Sequence, residues 1–598
     1  MATLVVPNAY DLLSLPTEIL NHILKSDVLV GADVCRVAHV CRKLRDVCYS
    51  NEIWRAKVCQ RWPELFKTQA VSTLNGNWFE LFRIRSSVHH HVRRLIQQLA
   101  EENYHKEDIS SESFYPFYAV FDLHDAAPTF ILDELRQILQ DADSNSHLTD
   151  KYYAMKAFHH VKHCLLKKSM NEFLDQPQER QALEEGAMLV SQWFQPLLKV
   201  TYQDVDRQLN GIADKVRKEL RNTTGNHPAC DKDYRTDGIA ENLWSPEQCH
   251  QVLDAVNTVL FQQLGFSPNE AQYYTPDNSY IDKVLEQRTG IPITLCIVYC
   301  AVARRLGVVC EPVNFPAHFL LRWKEHPMAT PANQFTFVDA YNRGRMMSQK
   351  NCHRMLNIPE DVGLDPNIFE ATTPAKVFER MARNMVRIAR QLNPSLDGLQ
   401  TLRSAIDLYL TVNPNDSEMR LLQVRIFLHL NINLKEAIDS LQQVAAMDMT
   451  RIEMVGYLTK EKPPKRRKDN DEVEFSVGMV MKHKRYHYTC VIYGWDKECR
   501  ASEEWITQMG VQSLPGKQFQ PFYNVLVEDG SNRYAAQENL LYTKEVRVIT
   551  HPEVGRYFDS FTGRWYIPNK QKEQEYPDDI EVTRCLVDKF FSESEQQE

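Results

Sequence analysis

Residues 294–323, TLCIVYCAVARRLGVVCEPVNFPAHFLLRW, constrain this chain more than any other stretch. Gly290 and Pro292 mark the start of an apolar helix, since proline at a first helical position loses no hydrogen bond. Two extended runs follow, PAHFLLRW and QFTFVDAY, rich in β-formers and separated by a polar turn. Cys296 lies in the first turns of the helix, where the macrodipole favours an anion. His318 and Asp339 fall one in each extended run. That is the order of a cysteine nucleophile, its base and the group that orients the base. A second reading fits the same residues. Cys296, Cys300 and Ala303 share one apolar face, and a buried cysteine is usually an inert small hydrophobe. His318 would then bond Asp339 for structure alone.

The 598 residues correspond to roughly three to five domains. No apolar run approaches the ~18 residues of a membrane span, and the opening MATLVVPNAYDLL has neither a basic nor a long apolar segment of a secretory leader. A net charge of -9 excludes a protein built chiefly to coat nucleic acid, because phosphate neutralisation needs cations. Fourteen cysteines without a CxxC pair fit reduced thiols in the cytoplasm or nucleus, and not zinc spacing. No metal or other cofactor is expected. His89, His90 and His91 are adjacent, so on a helix they point about 100° apart and cannot converge on one ion. They read as a solvated face.

Composition and periodicity divide the chain. Residues 11–63 form a compact three-helix unit: Pro16 at a helix start with Leu15, Ile19, Leu20, Ile23 and Leu24, then a second helix with Val34, Val37, Ala38, Cys41 and Leu44, then a third with Ile53, Trp54 and Val58. So small a unit buries little by itself and should offer an apolar face to a partner. Residues 64–150 read as a helical linker region. Residues 151–365 hold the stretch quoted first, preceded by paired amphipathic helices and a polar loop near 221–238. Residues 366–458 are helical again, with "AID" at Ala405 and at Ala437, near the tetratricopeptide period. Residues 459–473 are a charge-dense, proline-bearing linker whose KRRK run reads as solvated. Residues 474–570 alternate in the β manner, as a small barrel or curled sheet. Residues 571–598 read as an acidic tail that frays.

Three resemblances run along the same order. Leu15-Pro16 with Ile19 and Leu20, Cys41-Arg42-Lys43-Leu44 and Trp54 resemble the F-box. This implies docking onto the Skp adaptor and cullin of an SCF (Skp–cullin–F-box) ubiquitin ligase through Leu15, Pro16, Ile19, Leu20, Leu44 and Trp54, the first helix supplying most of the contact. Gln263–Phe266, Asp277–Leu295, Asn314–Arg322 and Val338–Gly344 resemble the bacterial SirB-type family, which has a transglutaminase-like fold. Cys296, His318 and Asp339 fall on the triad positions of that fold. His483–Asp496, Tyr523–Gly530, Arg533–Leu540 and His551–Phe558 resemble the YccV-like, hemimethylated-DNA-binding family, although His487 and Cys490 stand where glycines are expected.

The expected fold is therefore multidomain α+β: an N-terminal three-helix F-box, a central transglutaminase-like α+β domain with a tetratricopeptide-like helical extension, and a C-terminal small β-barrel. The principal functional expectation is a non-catalytic substrate adaptor of an E3 ubiquitin ligase, holding target proteins through its central and C-terminal domains. A cysteine hydrolase or acyltransferase using Cys296, His318 and Asp339 is the rival. Binding of DNA or another ligand through Lys482, Lys484, Arg485, Tyr486 and Tyr488 is a third reading. Residues Glu474–Lys570 carry twelve Lys/Arg against eleven Asp/Glu, so DNA is not an expected partner.

Overall fold

A computed structural model describes residues 12–595 except 64, 66–75, 105, 107, 141–146, 232–238, 331–332, 356–364, 392–395, 446–463 and 502. Part of the polar loop expected near 221–238, the end of the helical extension and the first five residues of the charged linker lie outside the described residues. Two units emerge, 1–161 with 459–598, and 162–458.

The first unit opens with α1 (Thr17–Lys25), α2 (Gly31–Ala38), α3 (Arg42–Cys48) and α4 (Asn51–Arg61). The expected second helix is in fact two. Cys41 adopts an extended conformation and its sulfur accepts the Leu44 N–H, which caps the start of α3. Buried Lys57 on α4 donates to the carbonyls of Ser26 and Leu29 at 2.5 and 2.6 Å, capping the end of α1. The long α5 (Trp78–Asn103) closes this bundle: Phe82 packs 4.9 Å from Trp54 and 5.2 Å from Trp62. A Cβ on Gly31 would lie 2.2 Å from Phe82, so the backbone of α2 needs glycine to seat on that ring.

Next come α6 (Tyr115–Phe121), α7 (Ala127–Leu139) and α8 (Leu148–Leu174). Fully buried Arg85 of α5 pairs with Asp133 at 2.7 Å and Glu134 at 2.8 Å on α7. His89, expected in solvent, lies with its ring 2.9 Å from Glu134, while His90 stays exposed. The buried Glu134 takes its counter-charge from Arg85 and Arg93, while burial pushes the His89 imidazole down, so that ring meets the carboxylate as a neutral neighbour.

The second unit contains α9 (Leu183–Phe194), α10 (Tyr202–Thr224), α11 (Pro246–Asn257), α12 (Ile281–Gln287) and α13 (Pro292–Arg304), with a two-residue parallel pair, β1 (Ser267–Pro268) and β2 (Thr289–Gly290). α10 continues through Arg221–Thr224, so the polar loop begins later than expected. α13 is apolar on every side and accordingly central, packed by α9, α10, α11, α12 and a sheet. That sheet is β3 (Cys310–Val313), β4 (Leu320–Lys324), β5 (Phe335–Asp339) and β6 (Arg345–Met347), antiparallel in sequence order. Leu321, Trp323 and Val338 face the α13 core, whereas Leu320, Phe337 and Met347 meet Phe315 and Phe369 on the other face. Both faces are covered, and the strands are apolar runs for that reason. After α14 (Gln349–Met355) come α15 (Pro374–Gln391), α16 (Leu396–Val412), α17 (Ser417–Leu430) and α18 (Leu434–Ala445). Both "AID" alanines, Ala405 and Ala437, are buried, so the repeat marks equivalent packing positions in two helix pairs.

The first unit resumes with β7 (Val480–His483), β8 (Thr489–Asp496), α19 (Glu503–Gln508), β9 (Phe522–Val527), β10 (Asn532–Ala536), β11 (Leu540–Tyr542), α20 (Val554–Tyr557), β12 (Phe558–Phe561), β13 (Tyr566–Pro568), α21 (Lys570–Glu575) and α22 (Asp579–Glu595). The main antiparallel sheet runs β10-β9-β8-β7-β11, so the curled-sheet form of the expectation describes it. His487 has φ +55°, a conformation that favours glycine, which is why relatives would place one there. Cys490 instead lies buried in β8.

Two expectations fail here. The described part of the tail, 571–595, is not frayed: α22 buries Asp579 and Thr583 against the sheet, and 596–598 lie outside the described residues. KRRK is not a uniformly solvated run: Lys465 bonds Asp496 at 2.8 Å and Arg467 bonds Asp579 at 2.8 Å, leaving Arg466 and Lys468 outside. Arg466 is extended and Arg467–Asp469 form a single 3-10 turn, which brings Lys465 and Arg467 to the domain's carboxylates.

Candidate functional site

Cys296 sits in the second turn of α13, fully buried. Its S–H donates to the Phe319 carbonyl at 3.6 Å, and the Ala340 N–H reaches the sulfur. The thiol is thus flanked by the backbone of the residues immediately following His318 and Asp339. His318 lies in a bend just before β4 rather than in the strand itself, behind Ala317 at φ +54°. Its Nε2 bonds Asp339 Oδ1 at 2.9 Å.

Asp339 ends β5 and is almost wholly buried. Besides the imidazole it accepts the N–H groups of Tyr341 and Asn342 at 3.1 Å each, and the Asn342 amide at 2.6 Å. Burial alone would push its carboxyl up, but the His318 and Asn342 bonds outweigh it and hold the group below the usual carboxylate range. The His318–Asp339 half of the expected triad is therefore assembled.

The thiol half is not. Among the described residues no hydrogen bond joins Cys296 to the imidazole, and burial pushes the thiol well up, with the Asp339 carboxylate adding to the effect. The helix dipole that favoured a thiolate is overridden by desolvation. An iodoacetamide probe is accordingly expected to label Cys296 in the native protein at least about 100-fold more slowly than exposed Cys585, which serves as internal comparator. Rapid labelling of Cys296 that His318→Ala suppresses would reinstate the nucleophile.

One neighbour escaped sequence reasoning. The Arg380 guanidinium donates to the Phe315 carbonyl at 2.9 Å and to Asn314 Oδ1, and lies 5.6 Å from the Phe319 ring centre. It arrives from α15, and only the tertiary fold brings it to this corner.

At the N-terminus, Leu20, Leu44 and Trp54 are buried. These three hold the helical unit together and do not face solvent, which corrects their expected role as adaptor contacts. Ile19 is 47% exposed and Pro16 is exposed, while Leu15 is half-buried. The same helical unit also exposes Leu12, Leu13, Ile23, Val28, Val30 and Val40. The reason is helical phase: α1 turns Leu20 and Leu24 inward and Ile19 and Ile23 outward.

In the C-terminal sheet the expected basic and aromatic cluster is largely self-engaged. Lys484 donates to the Glu538 carbonyl, Lys482 lies 3.7 Å from Glu545, and Arg485 sits over Tyr486 at 5.6 Å. Tyr488 is covered by Arg533 at 4.4 Å. Buried His483 accepts the N–H groups of Arg485 and Tyr486 on Nδ1, and burial with the nearby Arg533 pushes it down to about 4. His483 is a neutral ring fastening a turn, and Tyr486, packed on it at 5.0 Å, is the most exposed aromatic of the cluster.

Comparison with family models matches residues 12–61 to the F-box-like family, 203–383 to the transglutaminase-like superfamily and 473–564 to the hemimethylated DNA-binding protein YccV like family. Mouse F-box only protein 21 is 36% identical over 610 residues, covering 98% of this chain and 95% of that protein. The chain belongs to the F-box only protein 21 family. Human F-box only protein 21 is 36% identical over 97% of this chain and 94% of its own length. An uncharacterised-family protein of Xylella fastidiosa is 34% identical over 146 residues, 23% of this chain and 49% of that protein. No solved structure matches. Among the described residues no helix is long and apolar enough to cross a membrane, and no cluster of side chains fits a metal ion.

Proposed function

We propose that this protein is the substrate-recognition subunit of an SCF E3 ubiquitin ligase, working in the cytoplasm or nucleus. It holds the Skp adaptor and cullin through its N-terminal helices, and target proteins through its central and C-terminal domains. The observation that carries this reading is the apolar surface of the F-box-like unit. That unit has a closed core, with Leu20, Val34, Leu44, Ile53, Trp54 and Val58 all under 5% exposed, yet it presents Leu13, Ile19, Ile23 and Val28 to solvent. Large apolar side chains left exposed over a finished core mark a partner's seat. None of the fourteen cysteines is in a disulfide, which suits a reducing compartment.

In this reading the protein breaks and forms no bond. It raises the concentration of a target beside the ubiquitin-loaded enzyme, the logic of two linked binding sites. The sealed thiol supports that division of labour. The intact His318–Asp339 pair favours the cysteine-hydrolase reading, but without a reachable sulfur it serves to fasten the ends of β4 and β5.

The test is co-purification of the full chain with purified Skp–cullin. Ile19→Asp with Ile23→Asp leaves Leu20 and Leu24 in place, so the fold survives. The pair of charges is expected to weaken binding at least about 100-fold, given some 1.5–3 kcal/mol for each large apolar side chain buried at an interface. Undiminished co-purification of a folded variant would refute the adaptor role.

A further inference from the structure

α15 carries a stripe of cations. Lys376, Arg380, Arg383, Arg387 and Arg390 recur at intervals of three and four, so they share one helical face over about 21 Å. The opposite face, with Val377, Phe378, Met381 and Met385, is buried in the core. The stripe forms one wall of a cavity of ≈660 Å³, whose other walls are residues 314–317, just ahead of His318, and the start of α17.

Three of the guanidiniums are stacked on rings from different elements: Arg380 on Phe319 at 5.6 Å, Arg383 on Tyr409 at 5.5 Å and Arg387 on Tyr274 at 5.2 Å. Such stacking fixes the planar fork before a ligand arrives. Counter-charge is incomplete. Glu379 takes Lys376 at 2.6 Å and Arg383 at 3.2 Å. Asp416 accepts the Met419 N–H and the Tyr409 hydroxyl. Among the described residues, Arg380, Arg387 and Arg390 have no carboxylate within ion-pair distance. Arg380 is half-buried and meets only neutral oxygens of Asn314 and Phe315. A half-buried cation that meets only neutral oxygens favours an added carboxylate, and this in a chain of net charge -9.

We propose that this groove binds an extended acidic peptide, whose Asp or Glu side chains pair with Arg380, Arg387 and Arg390. About six residues of extended chain span the stripe. Glu379, Asp416 and Glu418 interrupt the positive wall, which suits spaced carboxylates and opposes a nucleic acid with a charge on every unit. The occupant rests on the adaptor reading: it is a segment of the protein to be ubiquitinated.

The test uses the full chain and two fluorescent peptides, one alternating Glu with Ser and one alternating Gln with Ser. The Glu peptide should bind at least about tenfold tighter, and the preference should fade in high salt. Arg387→Glu with Arg390→Glu, both at exposed positions, should abolish the preference while thermal melting and Skp co-purification stay unchanged. Equal binding of the two peptides, or an unaltered preference in the folded variant, would overturn the proposal. So would tighter binding of a single-stranded oligonucleotide than of the Glu peptide. Loss of Skp co-purification by the unaltered protein would instead sink the adaptor reading and leave the peptide measurement standing.

Discussion

Truncation after Tyr576 is expected to unfold the C-terminal β domain. The deletion removes α22, and with it the Asp579 carboxylate that accepts the Trp495 indole N–H at 2.9 Å, the Val477 N–H at 2.8 Å and the Arg467 guanidinium at 2.8 Å. Thr583 goes too, and its hydroxyl donates to the Val477 carbonyl at 2.7 Å and pairs with Ser476. Val587 leaves the core, and Tyr542 loses Phe590, stacked on it at 4.9 Å. Each stranded buried polar group costs about 1–3 kcal/mol, and the apolar loss adds about 1.5–3 kcal/mol per side chain. The sum rivals the ~5–15 kcal/mol that holds a whole domain. Thermal melting and limited proteolysis of the truncated chain should show the sheet region cleaved at native temperature. Asp579→Ala alone should cost about 3–5 kcal/mol by leaving the half-buried Arg467 charge without its carboxylate and the Trp495 and Val477 N–H groups without an acceptor. A truncated protein that melts like the full chain would show that α22 is an appendage.

Asp339→Ala is expected to destabilise the central domain by about 3–5 kcal/mol, since it strands the His318 ring, two backbone N–H groups and the Asn342 amide in a site with little water. The effect has a pH signature. The carboxyl is held below its usual range in the folded state, so its stabilisation is fully present above the unfolded value near 3.9 and is lost as pH falls through the lower folded value. Melting the two proteins from neutral to acid should show the difference largest near neutrality and shrinking only in strong acid. A gap that is constant with pH would mean that the carboxylate charge contributes nothing there.

Much of the architecture is legible in local pattern. The all-round apolar face of α13 announces a central helix, the two runs around His318 and Asp339 announce neighbouring strands, and the pair of "AID" units announces repeated packing. Where the reading failed, a local rule was overruled by a distant partner. Acidic residues near a terminus usually belong to solvent, but Asp579 is drawn in by Trp495 and Arg467. A basic KRRK run is usually solvated, but Lys465 and Arg467 find Asp496 and Asp579. His89 left the solvated histidine face because α5 packs against α7, which brings its ring within 2.9 Å of Glu134. None of these partners is near in sequence.

Within the candidate sites the same division holds. Residue order by itself determined the helical character of the F-box-like unit, the Cys296, His318, Asp339 succession and the three-module plan, because periodicity and motif spacing are local properties of a chain. Only the tertiary structure decided what those residues are free to do. Helical phase turned Ile19 and Ile23 outward and sealed Leu20 and Trp54 within. Chain crossings joined His318 to Asp339 while packing the backbone of Phe319 and Ala340 against the Cys296 sulfur. Exposure and desolvation are set by everything that surrounds an atom, and no spacing along the chain encodes them.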